Sequence, residues 1–86
     1  MNLKKNKLPK WFDGVRYEKG ETVANQFSGE EIYLNAEELS IYDLIKGAEM
    51  IMTMGIADVD RCIDIINQGK DWMLAKNPQA YMTLLD

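Results

Sequence analysis

Between Asn35 and Met54 (NAEELSIYDLIKGAEMIMTM) apolar positions recur with the period of an α-helix, in the longest strongly patterned run of the chain. Stepping by about 100° per residue puts Ile41, Leu44, Ile45, Ala48, Ile51 and Met52 on one broad stripe, the predicted core face. Leu39, Met50 and Met54 cluster on the opposite side, with Tyr42 at its edge, and Glu38, Asp43, Lys46 and Glu49 fall between. A helix apolar on two sides is buried on both. The second face therefore needs a cover, either the N-terminal strands or another subunit. The ends carry their own signals. Asn35 can accept an orphan first-turn amide hydrogen, and Glu38, three residues on, can reach back to the Asn35 amide as in a capping box. Glu37 and Glu38 place negative charge at the positive end of the helix dipole, and Gly55 marks the stop.

Before this helix the pattern alternates. Residues 1–10 (MNLKKNKLPK) are polar and basic and read as an extended arm, pinned to the body by the adjacent aromatics Trp11 and Phe12. Asp13-Gly14 and Lys19-Gly20 are turn signals, and between them Val15 and Tyr17 alternate with Arg16 as in a short strand. A second strand is predicted over Thr22–Phe27, with Val23 and Phe27 in phase. A third covers Glu31–Leu34, alternating at Ile32 and Leu34. A tight hairpin at Ser28-Gly29 joins the last two.

After Gly55 a second helix is predicted from about Ala57 to Lys76. Val59, Cys62, Ile63, Ile66 and Met73 form its core stripe; Asp60, Asp64 and Asp71 form a polar stripe; Ile65 and Trp72 share a third direction. Gly69 weakens its middle by about 1 kcal/mol relative to Ala, so a break is expected there if anywhere. Asn77-Pro78 reads as a fresh helical start, with Tyr81, Met82, Leu84 and Leu85 offered to the core. The expected class is α+β: an N-terminal antiparallel hairpin or three-stranded sheet over residues 11–34, then two or three packed helices over residues 35–86, in one domain spanning residues 1–86.

Size and charge change this picture in two ways. A chain of 86 residues buries only about 60–65% of its unfolded surface and is marginal alone. Cys62 is the only cysteine, so no internal disulfide can reinforce the core, and self-association is the remaining staple. The single thiol and the lack of a signal-peptide pattern point to a reducing cytoplasm. No apolar run approaches the ~20 residues of a membrane span. The net charge of −4 is divided: residues 1–20 hold six basic and two acidic groups, and the remainder is strongly acidic. Lys4, Lys5, Lys7, Lys10 and Arg16 could contact nucleic acid, but the acidic body repels phosphate.

Candidate chemistry is sparse. The chain has no histidine, which removes the commonest metal ligand and general base. Asp60 and Asp64 share a helix face at i, i+4, but no second acidic pair at matching spacing supports a metal site, and a solvated face is the better reading. Residues 58–64 (DVDRCID) lack the liganding order and central glycine of a calcium loop. Cys62 lies on an apolar stripe and reads as a structural thiol. Gly14, Gly20 and Gly29 are turn glycines and make no phosphate-cradling loop. No catalytic residue, cofactor site or metal site is expected, and the chain reads as non-enzymatic.

The stretch WFDGVRYEKGETVANQFSGEEIYLNAEELSIYD and the tail WMLAKNPQAYMTLLD resemble small uncharacterised proteins encoded by tailed phages of marine cyanobacteria, over Trp11 to Asp86. The resemblance carries no catalytic residue. It implies a short phage accessory or virion-associated protein acting in a bacterial cytoplasm. The expectation is a protein that binds another protein, of host or phage, and that forms a homo-oligomer, in the first instance a dimer. The contact is expected at Leu39, Met50, Met54, Ile65 and Trp72. The alternatives are a nucleic-acid module using the basic arm, an acidic DNA mimic that inhibits a host protein, and a minor virion component.

Overall fold

The computed structural model describes residues 8–55 and 58–86. Two strands, β1 (Glu21–Ala24) and β2 (Glu31–Leu34), form an antiparallel hairpin; α1 (Ala36–Met54) and α2 (Val59–Lys76) follow, then α3 (Pro78–Ala80), which continues into one π-helical turn at Tyr81–Leu85. The architecture is α+β, as expected.

Local chemistry sets the helix ends. Asn35 Oδ1 accepts from the Glu38 amide at 2.8 Å, and the Asn35 amide donates to Glu38 Oε1 at 2.9 Å, which completes the capping box. Gly55 closes α1 in the left-handed region, at φ 69°, where its amide reaches the Ile51 and Met52 carbonyls. Asp58 caps α2 by accepting from the amides of Asp60 and Arg61. Asn77 caps α3 through the Ala80 amide, with Pro78 in the first turn.

The core lies between α1, α2, β2 and the C-terminal turn. Leu34, Ile41, Ile45 and Met73 are its fully buried centre, and Phe12, Leu39, Ala48, Cys62, Ile66, Ala80, Leu84 and Leu85 complete it. Gly69 does not break α2. It is buried where the two helices cross, and its missing side chain lets Ile45 approach.

Several sequence expectations are corrected. Among the described residues the sheet has two strands, and Val15–Tyr17 is not a third. The Tyr17 amide donates instead to Ser40 Oγ at 2.9 Å, so this segment is tied to α1 rather than to a ladder. The β1 strand ends at Ala24, because Asn25 turns the chain: its Oδ1 accepts from the amides of Phe27 and Ser28. The hairpin turn is therefore wider than a tight Ser28-Gly29 turn, and Phe27 leaves the phase of Val23 to stand 96% exposed at the tip. On the helices, Ile51, Val59 and Ile63 fall on the predicted core stripes but are exposed. They sit near the helical turn, beyond the reach of the elements that cover the other end. Met82 is exposed, while its neighbours Leu84 and Leu85 face inward. The expected arm, residues 1–10, falls mostly outside the described residues; of the two aromatics that follow it, Trp11 is half-buried and Phe12 buried.

Candidate interaction surface

The residues expected to mediate self-association separate into three groups. Leu39 is 6% exposed and belongs to the core, so it is not available for a contact in this fold. This corrects the helical-wheel reading: α1 near its N-terminus is sheathed on the side opposite α2 as well. Ile65 and Trp72 are half-buried against the core. Trp72 shares a small cleft with Asn35, Glu37, Glu38 and Lys76, and so packs near the start of α1. Met50 and Met54 remain open, at 64% and 60% exposure.

Those two methionines are not alone. The last two turns of α1 also expose Ile51, and the first turns of α2 expose Val59 and Ile63. Because α1 and α2 are consecutive and packed on each other, all five lie toward the end of the helical pair where the chain reverses. The other end is tied together but also carries exposed apolar side chains, Phe27 and Met82. Asn25 Nδ2 donates to the Thr83 carbonyl at 2.8 Å, tying the β-hairpin turn to the C-terminal turn, and Leu84 shares a cleft with Tyr42 and Lys46 there.

A groove of about 340 Å³ runs between α1, α2 and the segment at Asp13–Val15. Leu44, Ala48 and Ile51 of α1 and Cys62 and Ile65 of α2 supply apolar lining. Asp13, Asp43 and Asp58 stand around it, and Arg61 is its one cation among the described residues. Arg61 lies 3.7 Å from Asp13, with both side chains largely exposed, so this pair contributes little. Asp43 acts electrically on Tyr17 too: its charge, with smaller contributions from desolvation and Glu21, raises the phenol pKa above 10.0. The groove was not legible in the sequence, since Asp13–Val15 reaches α1 only through the tertiary path of the chain. A signal was present at Gly47, a glycine inside the most regular helical run.

The remaining candidates do not assemble into a site. Asp60 and Asp64 are exposed beside Trp11, Arg61 and Gln68. Among the described residues no group of three His, Cys, Asp or Glu side chains could hold a metal ion. Cys62 is a free, buried thiol. Lys10 and Arg16 are exposed, and the Arg16 guanidinium lies 5.1 Å from the centre of the Phe12 ring. Lys4, Lys5 and Lys7 lie outside the described residues. None of the described helices is long and apolar enough to cross a membrane.

Comparison with known proteins places no relative beside this chain: no family model matches, and neither a curated protein nor a solved structure is significantly similar.

Proposed function

We propose that this chain is a small non-enzymatic protein that acts by binding other proteins, and that it self-associates through the open end of its helical pair. The observation that carries the reading is that five exposed apolar side chains (Met50, Ile51, Met54, Val59 and Ile63) lie on the adjoining ends of two consecutive helices. Single exposed apolar residues are ordinary, whereas a cluster on a small protein marks a contact surface. Met50 and Met54 suit such a surface, because an unbranched thioether adapts to an irregular partner. Pairing of identical patches about a two-fold axis is the commonest way to cover one. The resemblance of Trp11–Asp86 to small proteins of cyanobacterial tailed phages supports an accessory role in an infected host cell, and the same protein-binding surface would serve a minor virion component.

Two differently tagged copies, co-expressed and captured through one tag, test the reading. The expected result is co-capture of the second copy, lost when both carry Met50→Asp and Met54→Asp. Failure of the unmodified copies to co-purify contradicts it.

A further inference from the structure

Two glycines lie in the interiors of the long helices, and the fold explains only one. A glycine there is less favourable than alanine by about 1 kcal/mol, so it calls for a reason. Gly69 has one: a β-carbon on it would run into Ile45. Gly47 has none within the chain, since a β-carbon there would meet no atom within 4 Å among the described residues. Gly47 instead lines the groove formed by α1, α2 and Asp13–Val15. Glycine beside a groove lets another molecule approach the backbone closely.

The groove also states what that molecule carries. Its wall is apolar at Leu44, Ala48, Ile51 and Ile65, and its volume, about 340 Å³, falls within the range of binding clefts. Its charged groups among the described residues are three carboxylates against one guanidinium, already turned toward Asp13. An acidic occupant would be repelled by the charges of Asp43 and of Asp58, whose carboxylate also caps α2, whereas lysine or arginine beside an apolar side chain would suit both parts of the lining. The wall supplied by α1 extends from Asp43 to Ile51, a span of about two helical turns. That length suits the apolar face of a short helix.

We propose that this groove docks a basic amphipathic helix of a partner protein, which packs against Gly47 and places its cations beside Asp43 and Asp58. The inference rests on the reading of the chain as a protein-binding protein but not on its self-association.

Two synthetic amphipathic peptides with the same leucine spacing, one with lysines and one with glutamates at the polar positions, are the probes. They are titrated onto the full chain and onto the Met50→Asp, Met54→Asp variant. The lysine peptide is expected to bind both proteins, more weakly as salt rises, and the glutamate peptide to bind neither. Gly47→Leu fills the groove and is expected to weaken the lysine peptide about tenfold or more while raising the thermal midpoint. Asp43→Asn with Asp58→Asn is expected to weaken it similarly while keeping the fold, because asparagine caps a helix as well as aspartate does. The proposal is overturned if the lysine peptide does not bind, if both peptides bind equally, or if binding survives Gly47→Leu. Loss of binding in the Met50→Asp, Met54→Asp variant alone would move the docking site to the helical end and overturn the groove. Co-capture of tagged copies reports on self-association separately, so each idea can fail by itself.

Discussion

Gly69 brings its bare backbone so close to Ile45 that a β-carbon on it would lie 2.5 Å from Ile45 Cγ1 and 2.7 Å from Cδ1. Ile45 is fully buried and has no free direction in which to retreat. The packing of α2 on α1 at Ile45 therefore depends on the absence of one methyl group at Gly69. Gly69→Ala is expected to destabilise the fold: overpacking a core costs about 1–3 kcal/mol, and the gain in helix propensity offsets about 1 kcal/mol of that. Gly47→Ala, in open space, is expected to stabilise by about 1 kcal/mol. Chemical denaturation of the two variants checks both signs. A Gly69→Ala protein as stable as the Gly47→Ala protein would mean that the helices do not cross at Gly69.

Asn35 and Glu38 satisfy two first-turn donors reciprocally, at 2.8 and 2.9 Å. Asn35→Ala removes the acceptor for the Glu38 amide and is expected to lower stability by about 1 kcal/mol. Asn35→Asp keeps an oxygen in place and adds charge at the favourable end of the helix dipole, so it is expected to remain near the original value. A denaturation midpoint that is identical in Asn35→Ala would show that the cap contributes nothing.

The charge of Asp43 is the main reason that the Tyr17 phenol titrates above 10.0. A raised folded-state pKa means that the folded chain keeps a proton the unfolded chain releases. The associated stability is complete below about pH 10 and is lost as pH rises through the folded value. The difference in phenolate absorbance between the protein and its Tyr17→Phe variant isolates this group. Asp43→Asn is expected to bring the midpoint down toward 10.0, and an unmoved midpoint would exclude Asp43 as the cause.

What could be read from the sequence follows the range of the physics involved. Caps at Asn35, Gly55 and Asn77 are matters of a few neighbouring residues, and their chemistry is written locally. The fold class was legible for the same reason, since helical and alternating periods announce their elements. The width of each buried face was not. A helical wheel gives the direction of Ile51, Val59 and Ile63 but not how far along the helices a cover extends. It gives Leu39 the direction of Met50, yet packing at one end of α1 buries the first and leaves the second open. Val15–Tyr17 has a strand's alternation but lost its ladder to the Ser40 hydroxyl, a residue 23 positions away. Gly69 looked like a weak point because propensity alone counts against glycine, while its value comes from a side chain on another helix.

Self-association through the open end of α1 and α2 is tested most directly by sedimentation velocity across micromolar concentrations. Fully burying a methionine is worth about 1.5–3 kcal/mol, and a symmetric contact uses each residue twice. The unmodified chain is expected to sediment as a dimer or larger homo-oligomer, and Met50→Asp with Met54→Asp to weaken the assembly by about 100-fold or more, to a monomer. A monomer mass for the unmodified chain at every concentration would contradict the account, and a dimer that survives both substitutions would place the contact elsewhere on the surface.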